Sequence, residues 1–177
     1  MRGLLRRGLG IARVGADDPI EGGAMAKVSA GLLPYRWRGD ELEVFLVHPG
    51  GPFWAKKDGG VWSIPKGEIA PDEAPLAAAR REFAEETGLA ATGEVIPLNP
   101  VRQAGGKLVH AFAIEAELDP AAIRSNRFAM EWPPRSGEQR EFPEIDRAGW
   151  FGLEAARRKL LKGQLPLLED LRQRLGA

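Results

Sequence analysis

The chain contains no cysteine, only two histidines, and no excess of either charge. Without cysteine there is no disulfide framework, no thiolate zinc site and no cysteine nucleophile. His48 and His110 are too few for a histidine triad or a histidine-rich metal site, and each reads as a satisfied interior or rim residue. Lysine plus arginine and aspartate plus glutamate both total 25, so the basic footprint of a general nucleic-acid binder is missing. No apolar run reaches the roughly 18 residues of a membrane span. What is present is 177 residues, 44% hydrophobic and 28% charged, the make-up of an ordinary globular domain long enough to bury a core without staples.

Neutrality is a sum over unequal parts. Met1–Val14 carries Arg2, Arg6, Arg7 and Arg13 and no acid, with Gly3, Gly8 and Gly10 weakening any helix. Asp17-Asp18-Pro19 and Gly22-Gly23 read as linker. Residues 1–24 are therefore expected to be a flexible leader outside the fold, and residues 25–177 a single domain. Within that domain Val28–Tyr35 and Leu42–His48 read as strands around an Arg38-Gly39-Asp40 turn. Val61–Ile64 is a short extended piece ending at Pro65. Glu94–Leu98, Lys107–Glu117 and Ala148–Phe151 are further expected strands. Glu73–Thr87 is the clearest helix, rich in alanine and closed by Gly88. Leu153–Leu161 and Leu167–Leu175 are expected helices, and Trp132–Gly137 an irregular loop. The mixture implies an α+β fold with helices packed on a sheet.

The helix over 73–87 carries the chemistry. Glu82, Glu85 and Glu86 fall at i, i+3 and i+4, on one face within about a turn. Like charges at this spacing repel, and the helix dipole disfavours anions at its C-terminal end. A hard divalent cation relieves both, since magnesium takes carboxylate, phosphate and water oxygens. Leu76, Ala79 and Phe83 supply a neighbouring buried stripe.

The wider pattern is more specific. Gly67, Glu73, Arg81, Glu82, Phe83, Glu85, Glu86, Gly88 and Leu89 fill G-x5-E-x7-R-E-[apolar]-x-E-E-x-G-[apolar] completely. Seven fixed residue types at roughly one in twenty each make a chance match on the order of one in a billion per start position. The chain thus resembles the Nudix hydrolases, over this box and, more loosely, from about Ala26 to the C-terminal helices. The resemblance implies an α/β/α sandwich around a mixed sheet. It further implies magnesium-dependent hydrolysis, with manganese as an alternative metal, of a nucleoside diphosphate linked to another group. Glu82, Glu85 and Glu86 are the implied catalytic and metal-binding carboxylates, with a backbone carbonyl of Lys66 or Gly67 completing the metal site. Glu73 and Arg81 are implied to hold the loop and helix together. Glu144, six residues before Trp150, is the favoured additional ligand, and Glu141 the runner-up.

Pro65-Lys66-Gly67 is similar to the sequence that precedes the box in dinucleoside polyphosphate hydrolases. Lys66, Lys57 and Arg135 are candidate substrate contacts, with Lys56, Arg140, Trp54 and Trp132 nearby as further cations and stacking surfaces. Trp37, Trp62 and Trp150 are expected to pack. The expected activity is a cytoplasmic pyrophosphohydrolase, monomeric or homodimeric, acting on a small-molecule nucleotide polyphosphate and on neither membranes nor nucleic acid in general. Nucleoside triphosphates, nucleotide sugars, ADP-ribose, diphosphoinositol polyphosphates and triphosphorylated RNA ends are the alternative substrates. A non-catalytic ligand-sensing module is the alternative of another class.

Overall fold

Strand β1 (Val28–Arg38) turns at Gly39–Asp40 into β2 (Glu41–Pro49), and both are buried along most of their length. The computed structural model describes residues 27–177, so the leader expected over 1–24 lies outside it. Next come β3 (Lys66–Glu68), α1 (Pro75–Thr87), β4 (Val95–Pro97), β5 (Val101–Arg102) and β6 (Leu108–Glu115). The chain ends with β7 (Arg127–Glu131), β8 (Gln139–Pro143), β9 (Ile145–Gly152), α2 (Leu153–Lys159) and α3 (Leu165–Leu175). The main sheet runs β4-β6-β1-β2-β9, with β1 and β6 parallel and the other pairs antiparallel.

Strand alternation distributes the core to both faces. Ala30 and Leu32 meet Ala78, Ala79 and Phe83 of α1 on one face. Leu33, Leu46, Val109 and Ala111 meet Ala156 of α2 and Leu167, Leu168 and Leu171 of α3 on the other. The result is the expected helix–sheet–helix sandwich. Among the described residues no helix is long and apolar enough to cross a membrane.

One irregularity positions the site. β1 and β2 pair only from Tyr35–Arg38 to Glu41–Val44. Beyond that point β2 follows β9, and the segment from Ser63 to Glu68 enters between the diverging strands. Ser63 bridges Val47, the Leu32 N–H donates to the Pro65 carbonyl at 3.2 Å, and Lys66–Glu68 pairs with Ser29–Gly31.

Several boundaries differ from the sequence reading. α1 starts at Pro75, two residues late, because proline lacks an N–H and holds the preceding Ala74 extended. β9 is longer than expected, since its pairing with β2 extends from Glu43 to Pro49. The stretch expected as an irregular loop is the tip of a separate hairpin, β7–β8, in which Phe128 pairs Phe142. Trp62 is buried as expected, whereas Trp37, near the end of β1, is 40% exposed.

Candidate active site

Arg81 organises the Gly67–Leu89 segment. Its Nε and Nη2 donate to the two carboxylate oxygens of Glu73, both at 2.8 Å. Nη1 donates to Glu82 at 2.8 Å and Glu85 at 3.2 Å, and Nη2 also to the Glu68 carbonyl at 3.1 Å. All five N–H donors of the guanidinium are thereby used. The Ala70 N–H donates to Glu73 at 3.0 Å, so this carboxylate clamps the approach loop to the helix from outside it. The Arg81 fork and the Ala70 N–H hold the Glu73 carboxyl down at about 2. α1 ends at Gly88, in the left-handed conformation that glycine adopts without strain.

Glu82 lies directly over Gly67, where a Cβ would collide with its carboxyl carbon. Glu86 turns inward: the Lys66 N–H donates to its Oε2 at 3.1 Å. Burial pushes the Glu86 carboxyl up to about 7; the Lys66 N–H and ammonium oppose this, and the charges of Glu82 and Glu144 reinforce it. Lys66 is pushed down by burial and by Lys107, against the pull of Glu86 and Glu82.

A pocket of about 280 Å³ opens beside Glu86. Its polar rim holds Lys66, Glu86, Glu144 and Ser63; its apolar walls include Val47, Trp54, Ile64 and Leu161. Lys66 and Glu144, the expected phosphate contact and additional ligand, both line this pocket. Glu141 does not: it pairs Ala129 across the hairpin and lies 3.5 Å from Arg127. Lys57 and Arg135 are also outside the lining. The Lys57 ammonium lies over the Trp54 ring, 5.0 Å from its centroid, and Arg135 sits exposed at the hairpin tip.

The expected gathering of Glu82, Glu85, Glu86 and Glu144 is not found. Among the described residues no three acidic or histidine side chains are drawn close enough to hold a metal ion together. Glu82 and Glu85 are drawn to the Arg81 guanidinium and Glu86 to the Lys66 N–H. The donor chemistry still suits a hard cation. Every candidate ligand is an oxygen, and a buried carboxyl facing two other carboxylates is relieved by positive charge.

One supporting group, Gln164, escaped the sequence reading, while a second, His48, is the satisfied interior residue it was expected to be. Gln164 is fully buried. Its Oε1 accepts from the Ile64 N–H at 3.0 Å, and its Nε2 donates to Ser63 Oγ at 2.9 Å and Gln103 Oε1 at 2.7 Å. It fixes the strand segment that leads into Lys66. His48, also fully buried, has Nδ1 2.7 Å from Asp146 Oδ1 and Nε2 2.6 Å from the Lys57 carbonyl oxygen. It joins the loop after β2 to β9. No local pattern marks Gln164, whose partners lie 61 to 101 residues away.

Residues 25–171 match the sequence model of the NUDIX domain. Over 148 residues the chain is 31% identical to the octanoyltransferase of Myxococcus xanthus, a stretch covering 84% of this chain but 35% of that protein. Over 38 residues it is 58% identical to the RNA pyrophosphohydrolase of Thioalkalivibrio sulfidiphilus, covering 21% of this chain and 22% of that one. The chain thus spans about a third or less of the length of these curated relatives. Among solved structures, the NUDIX domain of Shewanella oneidensis NrtR complexed with ADP ribose superposes with a TM-score of 0.59 at 18% identity, covering 90% of this chain and 94% of that one. A Caenorhabditis elegans Ap4A hydrolase in a binary complex gives 0.58 at 20% identity, covering 84% and 98%. At such identities these likenesses concern the fold.

Proposed function

The chain belongs to the NUDIX domain family, and from that premise we propose that it is a magnesium-dependent pyrophosphohydrolase of nucleotide polyphosphates, with dinucleoside polyphosphates the leading substrate. The observation that carries this reading is Glu86, a carboxyl raised to about 7 at the wall of a pocket whose rim also presents Lys66 and Glu144.

Glu82, Glu85, Glu86 and Glu144 are the side chains that would hold the divalent cation. When bound, the cation supplies positive charge for the diphosphate and lowers the pKa of a coordinated water. The remaining tasks fall to the chain itself. Lys66 presents an ammonium to a phosphate at the pocket rim. The apolar walls, Trp54 among them, exclude water from the bound nucleoside. A box carboxylate in its ionised form accepts the proton of the attacking water. Arg81 and Glu73 keep α1 in register with the Lys66–Glu68 strand, so that Glu82 and Glu86 face the same space. The resemblance of Pro65-Lys66-Gly67 supports the dinucleotide choice, as does Glu144 on the pocket.

The test is phosphate release with magnesium from Ap4A, ATP, ADP-ribose, UDP-glucose and triphosphorylated RNA. Turnover fastest on Ap4A is expected. Binding of these nucleotides with no release from any of them would replace this reading by a non-catalytic ligand-binding domain.

A further inference from the structure

We propose that the surface aromatic pair of exposed Phe53 and half-buried Trp132 is a second nucleobase site, next to the pocket that holds the first nucleoside. Phe53 and Trp54 follow β2 and are 55% and 40% exposed. The Phe53 ring meets Trp132 at the hairpin tip in an edge-to-face contact, centroids 5.3 Å apart. Large aromatic side chains left in contact with each other at a surface mark binding sites, in contrast with apolar residues scattered singly. Trp54 is itself a wall of the pocket that carries Glu86 and Glu144. The aromatic surface therefore continues outward from the place where phosphates would sit. Among the described residues Lys56, Lys57 and Arg135 form no ion pair, and Lys57 lies over Trp54. Flat aromatic faces with the Lys57 ammonium over one of them suit a flat base on an anionic chain.

Size argues for a second base in particular. A cavity of about 280 Å³ is at the small end for a ligand pocket, so a ligand with two nucleosides would extend beyond it. The shelf is also well supported. Gly50 approaches the Pro143 carbonyl so closely that a Cβ would overlap it, and its N–H donates to the Glu144 carbonyl at 2.8 Å. Loop and hairpin are thus joined at their bases, with their aromatic tips in contact. The shared chemistry is a nucleobase two or more phosphates beyond the first, supplied by a dinucleoside polyphosphate or by the second nucleotide of a 5′-triphosphorylated RNA.

The inference rests on the nucleotide-hydrolase reading, and its test separates the two. Wild type, Phe53→Ala, Trp132→Ala and Trp132→Phe are assayed with magnesium on Ap4A, a triphosphorylated RNA dinucleotide and ATP. Each alanine variant is expected to lower kcat/KM for a two-base substrate relative to ATP on the order of tenfold, through KM, with Trp132→Phe restoring most of it. The substrate whose ratio falls identifies the source of the second base. Ratios within twofold of wild type for both two-base substrates overturn the site, even if ATP and Ap4A are hydrolysed well. If wild type hydrolyses nothing, the hydrolase reading fails, and calorimetric binding decides the shelf. Ap4A must then bind at least about tenfold more tightly than ATP, an advantage lost in Phe53→Ala; equal affinities overturn it. Phe53, on an exposed loop, keeps the test available if Trp132→Ala misfolds.

Discussion

The two sides of the pocket are held together by different physics. On the α1 side, Arg81 distributes five hydrogen bonds over three carboxylates and a carbonyl, and Glu73 returns a backbone contact. On the other side, the loop after β2 and the β7–β8 hairpin meet through the Phe53–Trp132 edge, close approaches at Gly50 and Gly51, and the Gly50 N–H to the Glu144 carbonyl. Charge fixes carboxylates whose positions the chemistry requires. Aromatic packing leaves a surface able to take up a ligand. The comparison breaks if the α1 side tolerates loss of its charges, or if the aromatic side proves to be a pillar of stability.

Glu86 gives the largest expected effect. Glu86→Gln should lower magnesium-dependent turnover at least about a hundredfold with the fold retained, measured by phosphate release and circular dichroism. The same variant carries a pH signature in metal-free protein. A folded carboxyl raised to about 7, against an unfolded value near 4.5, binds its proton more tightly in the native state. Its contribution to stability is present below the unfolded value and is lost as pH rises through 7, by at most about 3 kcal/mol. Wild-type melting temperature in chelator should therefore fall between pH 5 and 7.5, and Glu86→Gln should flatten that slope. A slope unchanged in the variant would mean that Glu86 is not the strained group.

Gln164 supports the α1 side from beneath. Gln164→Ala leaves the Ile64 N–H and Gln103 Oε1 without their partner in a fully buried setting. A loss of about 2–3 kcal/mol is expected by denaturant unfolding. Gln164→Glu should be no better, because it retains the acceptor for Ile64 but places a carboxylate against Gln103 Oε1. A stable Gln164→Glu would show that water, not this amide, completes the network.

How well each side could be read from sequence follows the same division. The α1 side is encoded within 23 residues at fixed spacing, so Arg81, Glu82, Glu85 and Glu86 were legible, as was the helix itself. Proline at 75 displaced the helix start and freed Glu73 for its clamp. Helical spacing put three carboxylates on one face; it did not reveal that the Arg81 guanidinium holds two of them. On the other side little was legible. Trp54 reaches the pocket, and Trp132 meets Phe53, only because β2, β9 and a hairpin from distant parts of the chain come together. The hairpin strands, Arg127–Glu131 and Gln139–Pro143, are five residues each, with only Phe128, Met130, Phe142 and Pro143 partly buried, too short an apolar alternation to mark a strand.

Arg81 sharpens the comparison from the charged side. Arg81→Ala should cost about 1–2 kcal/mol, solvent screening having been allowed for. Arg81→Lys should recover little, since an ammonium cannot reproduce the fork. Glu73, depressed to about 2 in the native state, contributes stability present above its unfolded value and lost as pH falls from about 4.5 toward 2. That acid-limb loss should be smaller in Arg81→Ala, as followed by thermal melts at stepped pH. An acid limb identical to wild type would assign the Glu73 shift to the Ala70 N–H alone.

Trp132→Ala should have the smallest effect on stability and so tests the other half of the comparison. Its ring contact with Phe53 is at the surface, and an edge-to-face pair is worth roughly 0.5–1.5 kcal/mol at most, less where solvent reaches both rings. The base of the hairpin is held independently, by the Gly50 N–H to the Glu144 carbonyl and by the Glu144 N–H to the Asn126 carbonyl, both at 2.8 Å. For a domain of this size, about 0.5 kcal/mol corresponds to roughly 1–2 °C in Tm. A fall beyond about 5 °C would show that the aromatic edge carries the hairpin, so that the same rings could not be free to receive a ligand. A shift within the expected range, together with a lost preference for two-base substrates, would separate binding from stability at one side chain.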